Sequence, residues 1–209
     1  QGGIAYWVAA LRETFEEAGI LLARRPGDGH LVDLSLPDVE KRFNTYRAGV
    51  NAGDTDFVDV VRSEELVLDG SGVHYVSRWV TPLGSPRRYD TRFFVTAMPQ
   101  GQQPLHDDDE VVHHEWVRPA EALALNETDE MLMMTPTVSM LDRLSRYESS
   151  AEAIVAAAGN TQQQDEMVRI RYGIEGPGRI AWPGDSDYDE SDPRVESGMV
   201  RWPGRRPNE

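Results

Sequence analysis

Arg12-Glu13-Thr14-Phe15-Glu16-Glu17-Ala18-Gly19-Ile20 closes an apolar-periodic run, Ile4, Tyr6, Trp7, Val8 and Leu11, and reads as the second half of a helix. At about 3.6 residues per turn, Glu13, Glu16 and Glu17 stand at i, i+3 and i+4, so their carboxylates share one face, and Arg12 and Glu16 form an i, i+4 pair. Ala9, Phe15 and Ala18 extend the apolar side, and Gly19 supplies a left-handed residue that stops the helix before Ile20 and Leu21. Three stacked acids repel one another unless a cation lies among them. Hard divalent cations take several oxygen ligands, which makes the stripe a candidate metal site; the alternative is a solvated acidic helix face.

The string R-E-x-x-E-E-x-G-I resembles the second half of the Nudix box, G-x5-E-x7-R-E-U-x-E-E-x-G-U, with U an aliphatic residue. Of its seven specified positions six are met, by Arg12, Glu13, Glu16, Glu17, Gly19 and Ile20, and Thr14 stands where an aliphatic residue is usual. The resemblance implies that Glu16 and Glu17 are metal ligands, that Glu13 is a further ligand or orients the attacking water, and that Arg12 pairs with box carboxylates and fixes their rotamers. The first half of the box is not read here. Counting back, its early Glu would fall on Ile4 and its leading Gly before Gln1, so the sequence is expected to be a fragment that lacks its N-terminal strands, or a relative with an insertion inside the box.

Outward from the box, Arg25-Pro26-Gly27-Asp28-Gly29 is a loop. Residues 37–50, opened by Pro37 and carrying Val39, Phe43 and Tyr46 on one face, predict a helix, and Asp54 to Arg62 predict a second. Together they form a helical insertion over 37–62, read as a lid or packing element. Val73 to Val80 and Asp90 to Ala97 are β-branched and aromatic, and the turn between them predicts an antiparallel pair. A third strand is expected over Glu110 to Val117. Pro119 starts a short helix, and 135–148 is the second main helix. Beyond Ser149 the sequence predicts an Ala-rich helix, 151–158, a strand from Met167 and its hairpin partner from Arg179. The stretch from Asp185, rich in Asp, Pro, Gly and Arg, is expected to be disordered.

A second motif narrows the resemblance. Trp79-Val80-Thr81-Pro82 and Arg88-Tyr89-Asp90-Thr91-Arg92-Phe93-Phe94 look like the W-x-T-P and R-[YF]-D-T-x-F-F segments of a Nudix branch related to CoA and acyl-CoA diphosphatases of the Nudix motif 19 type. In that branch an insertion interrupts the box and helices follow it. Arg87 and Arg88 are candidate phosphate binders, because a guanidinium grips phosphate oxygens bidentately; solvated turn arginines are the alternative. Many Nudix enzymes bring one more Glu from a loop as ligand or general base. Glu110, in His106-Asp107-Asp108-Asp109-Glu110, is similar to that position, with a solvated acidic loop as the alternative.

Composition sets the remaining bounds. The 209 residues carry a net charge of −15, which argues against a nucleic-acid polymer or a membrane surface as partner, because both attract Lys and Arg. No cysteine is present, so disulfides and thiolate metal sites are excluded. No apolar run approaches the roughly 20 residues of a membrane helix. With a single lysine, Lys41, and an ending without a Ser-Lys-Leu-like address, a bacterial cytoplasmic protein is expected.

The expected fold class is α/β, a Nudix α/β/α sandwich with a mixed β-sheet and a helical insertion, without its N-terminal strands. It spans a Nudix domain over 1–148, a C-terminal extension over 149–184 and a tail over 185–209. What the resemblance implies is a Mg²⁺- or Mn²⁺-dependent diphosphatase that cleaves CoA or acyl-CoA by water attack on phosphorus. Alternatives are a Nudix hydrolase of nucleotide sugars, dinucleotides or nucleoside triphosphates, and a non-catalytic Nudix ligand-binding module. The partner is a small-molecule diphosphate, and a homodimer is among the assemblies considered.

Overall fold

The computed structural model of the chain describes residues 3–81, 87–105, 114–159, 166–171, 179–181, 184–186, 188–190 and 196–200. The chain divides into two compact units, one made of Gln1–Val73 and Ala97–Trp116, the other of His74–Thr96 and Val117–Glu209.

In the first unit, α1 (Gly3–Ala18) carries the box residues and is followed by β1 (Ala23–Arg24), α2 (Pro37–Asn51), α3 (Phe57–Ser63) and β2 (Val67–Leu68). Pro37 sits in the first turn of α2, where its fixed φ suits a helix and its missing N–H costs nothing. Asp56 caps α3 by accepting from the Val58 N–H at 2.8 Å. β1 and β2 pair antiparallel, Ala23 opposite Leu68 and Arg24 opposite Val67. Phe15, Leu21, Ala23, Phe43, Phe57, Val60 and Leu66 form the core, with the Phe15 and Phe57 rings 5.5 Å apart. Burying each large member stabilises the unit by about 1.5–3 kcal/mol, so α2 and α3 are structural partners of α1.

One polar side chain is built into that core. Gln102, 3% exposed, accepts from the Leu21 N–H at 2.9 Å and donates to the Leu21 and Val32 carbonyls at 2.9 and 2.8 Å. Its amide thus does for the segment leaving α1 what a neighbouring strand would do.

The second unit holds β3 (Val73–Val80, all but its first residue), β4 (Asp90–Thr96), α4 (Pro119–Glu127), α5 (Thr135–Leu144), α6 (Ser150–Ala158), β5 (Glu166–Arg171), β6 (Arg179–Ala181) and β7 (Glu196–Val200). The five strands form one sheet in the order β4-β3-β7-β5-β6. Val76 and Trp79 of β3 pack with Met140, Ala153 and Ala157 of α5 and α6, flanked by Phe93, Val95, Leu144 and Tyr147. Ser77 is fully buried and donates to the Met140 Sδ at 3.1 Å. The turn from β3 to β4 is closed by a bond from the Thr81 N–H to the Tyr89 carbonyl at 2.9 Å.

The α/β class holds, and so do the two insertion helices and the hairpin from Arg179. Four readings change. The ladders β1–β2, β3–β7, β5–β6 and β5–β7 are all antiparallel, where a mixed sheet is expected from the sequence. His114 to Val117, the described part of the strand expected over 110–117, is exposed and not in a strand. The second main helix ends at Leu144 rather than 148, with Ser145 turning its hydroxyl back to the Asp142 carbonyl. The stretch expected to be disordered from 185 supplies β7, paired to β3 (Ser77 opposite Val200) and to β5 (Glu166 opposite Val200). In Glu196–Val200 pairing on both sides, not local propensity, makes the strand.

Candidate functional site

The last turn of α1 is where the acidic residues gather, and each of its terminal carbonyls has a donor. A helix leaves its last four C=O groups without intrahelical partners. Here Gly19, at φ +68°, turns the chain so that its N–H reaches the Phe15 carbonyl at 3.0 Å and the Ile20 N–H reaches that of Thr14 at 3.2 Å. The Glu16 carbonyl accepts from Arg47 Nε at 2.7 Å and from Asn51 Nδ2 at 3.3 Å, and the Glu17 carbonyl from Arg47 Nη2 at 2.8 Å. The Ala18 carbonyl accepts from the Leu105 N–H at 2.9 Å. A positive φ is cheap only for glycine, so Gly19 is the residue this exit requires.

On the side-chain face, Arg12 Nη1 lies 2.7 Å from both carboxylate oxygens of Glu16, and Arg12 Nη2 donates to Glu13. The Glu16 side chain is 12% exposed, those of Arg12 and Glu13 about half exposed. One oxygen of Glu17, Oε2, is sealed from solvent. Thr14, the departure from the motif, is accommodated because its hydroxyl donates to the Ala10 carbonyl at 2.7 Å within the helix. The structure therefore joins Arg12, Glu13 and Glu16 through one guanidinium, with Glu17 next along the same helix.

The remaining candidates lie on other parts of the chain. Arg87 and Arg88 are exposed and belong to the second unit, where Arg88 Nε donates to the Thr81 carbonyl at 2.9 Å and braces the β3–β4 turn. Glu110 lies outside the described residues. Leu105, the last described residue before it, donates its N–H to the Ala18 carbonyl at the end of α1.

Residues 1–144 match the sequence model of the NUDT19 Nudix domain. The chain belongs to that family. Similar proteins include the acyl-coenzyme A diphosphatase NUDT19 of Gallus gallus, 31% identical over 162 residues that cover 71% of this chain and 42% of that protein. Those of Xenopus laevis and Homo sapiens are each 29% identical over 155 residues, covering 70% and 71% of this chain and 40% and 41% of theirs. The chain thus spans about two fifths of the length of these curated relatives. Among solved structures, the NUDIX hydrolase from Alicyclobacillus acidocaldarius superposes with a TM-score of 0.62 at 27% identity, over 71% of this chain and 64% of that one. The fold is therefore a Nudix fold.

Nudix hydrolases use divalent metals, and the donors on α1 suit one: all are carboxylate oxygens, the ligands hard cations take. Among the described residues no three acidic or histidine side chains converge closely enough to hold an ion by themselves, because Arg12 draws Glu13 and Glu16 onto its guanidinium.

Two parts of the site escape a motif search. Arg47 and Asn51 come from α2, and Gln102 from a loop. Arg47 had a visible signal, since it lies on the apolar face of α2 with Val39, Phe43 and Val50, where a basic residue needs a buried acceptor. Gln102 had none.

Proposed function

We propose that the chain is a metal-dependent Nudix diphosphatase whose substrate is CoA or an acyl-CoA. Water attacks one phosphorus of the diphosphate and the products are a phosphopantetheine, acylated or free, and adenosine 3′,5′-bisphosphate. The observation that carries the reading is the last turn of α1, where the box carboxylates are intact, oriented by Arg12 and pinned through their own backbone carbonyls. Similarity to proteins named acyl-coenzyme A diphosphatase supports the substrate class.

In this reading Glu16 and Glu17, with Glu13, hold Mg²⁺ or Mn²⁺. A cation held there would supply charge to neutralise phosphate oxygens and stabilise the leaving group. Arg12 holds the Glu16 carboxylate in one rotamer and also donates to Glu13, whose half-exposed carboxylate is proposed to accept a proton from, or orient, the attacking water. Glu110 is proposed as the additional ligand or base. Arg87 and Arg88 are proposed to bind substrate phosphates through the guanidinium nitrogens not engaged with backbone. In so acidic a chain, cations of either kind are needed before an anionic substrate can approach.

The test is product analysis with Mg²⁺ or Mn²⁺ and CoA, acyl-CoA, ADP-ribose, NADH or a nucleoside triphosphate, with Glu16→Gln and Glu17→Gln controls. Release of adenosine 3′,5′-bisphosphate from CoA species, lost in both controls, is expected. Preferential cleavage of another diphosphate would sink the CoA assignment, and activity that survives both substitutions would sink the assignment of the site.

A further inference from the structure

We propose that Arg47 of the helical insertion is a positioning residue for the metal ligands of α1, and the proposal rests on the metal reading given above. Two glutamates in the last turn sit at the negative end of the helix dipole, and that turn contains no basic residue of its own. The missing cation comes from α2. Arg47 is 7% exposed and spans the carbonyls of Glu16 and Glu17 with Nε and Nη2, at 2.7 and 2.8 Å. Asn51, one turn further along α2, adds a bond to the Glu16 carbonyl.

Helix ends fray, and the direction of a Cα–Cβ bond follows the backbone of its own residue. Clamping these two carbonyls therefore fixes the bearing of the Glu16 and Glu17 carboxylates, two of those assigned as ligands, while Arg12 holds the side chains of Glu16 and Glu13. A planar guanidinium can bridge two acceptors at once, whereas an ammonium is a point donor, so the position distinguishes Arg from Lys. The insertion is then part of the site's machinery and does more than cover it.

The test compares Arg47→Lys, Asn51→Ala and Glu16→Gln with the parent chain. Mn²⁺ affinity is read from the electron paramagnetic resonance of free Mn²⁺, folding from circular dichroism and thermal melting. Partners that orient metal ligands are worth about 10–100-fold in affinity, so Arg47→Lys should weaken Mn²⁺ binding about tenfold with the helical signal retained. Asn51→Ala should weaken it by roughly two- to threefold, in keeping with its longer bond. In an active preparation, KM for the diphosphate should stay near the parent value while the metal activation constant rises. A folded Arg47→Lys chain with parental Mn²⁺ affinity would overturn the proposal, leaving a structural role alone. Should that variant not fold, parental Mn²⁺ affinity in Asn51→Ala overturns it. Unchanged Mn²⁺ binding in Glu16→Gln would remove the metal reading of α1 and this proposal with it.

Discussion

One guanidinium nitrogen of Arg12 lies 2.7 Å from both carboxylate oxygens of Glu16, one turn along the same helix, while the other nitrogen donates to Glu13. Glu16 is largely buried but Arg12 is 42% exposed, so solvent screens the pair to about 0.3–0.5 kcal/mol, as for a helix-surface i, i+4 pair, small beside a core built on Phe15, Phe43 and Phe57. Its geometry should matter more. Arg12→Ala is expected to shift thermal stability by less than about 1 kcal/mol yet reduce diphosphate turnover about 10–100-fold, by freeing the Glu16 carboxylate to sample other rotamers. Arg12→Lys should leave stability intact without restoring turnover, because it cannot serve both acids in one plane. Calorimetry and steady-state kinetics on the two variants decide this; a loss of turnover that merely follows unfolding would refute it.

Gln102 should be the most sensitive polar position in the first unit. Replacing it with Leu strips a donor from the Leu21 and Val32 carbonyls and an acceptor from the Leu21 N–H, in a place with almost no solvent. Each buried polar group left unsatisfied costs about 1–3 kcal/mol, so a total loss of roughly 2–5 kcal/mol is expected in denaturant unfolding. Gln102→Glu should be similarly poor at neutral pH, where a carboxylate would face two carbonyls, and should recover partly in acid as it regains a proton to donate. A loss of only a few tenths of a kcal/mol would show that the amide is not needed as a stand-in strand.

Where the sequence speaks clearly, the physics is local. The spacing of Glu13, Glu16 and Glu17 follows from helix geometry alone, and Pro37 and Pro119 mark helix starts because their constraint acts within one turn. Arg47 is half legible: its place on an apolar face signals a buried acceptor but cannot say that the acceptors are the carbonyls of Glu16 and Glu17, 31 and 30 residues away. Gln102 is silent, being one polar residue in a polar loop whose role depends on Leu21, 81 positions earlier. Asp90 reads only as part of a motif and a strand, and proves to be the acceptor of a bidentate pair from Arg78, a cross-strand relation fixed only by register. The motifs were thus visible, whereas the groups that hold them in place depend on tertiary contacts.

That Arg78–Asp90 pair predicts a pH dependence. Both bonds, Nε to Oδ1 and Nη2 to Oδ2, are 2.7 Å long, and the Arg78 guanidinium holds the Asp90 carboxyl below its ordinary value against a smaller opposing effect of burial. A group whose folded value is depressed contributes stability that is present above its unfolded value, about 3.9, and is lost as pH falls through the folded value. Asp90→Asn should therefore flatten part of the acid limb of the stability curve below about pH 4 and leave the region above pH 6 nearly parallel to the parent. The side chain is 41% exposed, so solvent screening keeps the effect small. Thermal melts across pH 2.5–7 (an approximate working range set by ordinary carboxylate titration) test it; an acid limb identical in parent and variant would contradict it.

β7 carries the strongest prediction about the C-terminal residues. It lies between β3 and β5, with Met199 opposite Arg78 on one side and Met167 on the other, so it joins the β4–β3 hairpin to the β5–β6 hairpin. A chain ending at Glu190 would keep both hairpins and lose the strand that connects them. Two rows of backbone N–H and C=O groups would then be unpaired, and exposed strand edges recruit other chains. Such a truncation is expected to melt at a lower temperature and to form higher-order species in light scattering, although the box residues on α1 are untouched. A truncated chain that stays monodisperse and melts like the parent would show that the pairing of β7 contributes little, and that the sheet is held by Val76 and Trp79 against α5 and α6 alone.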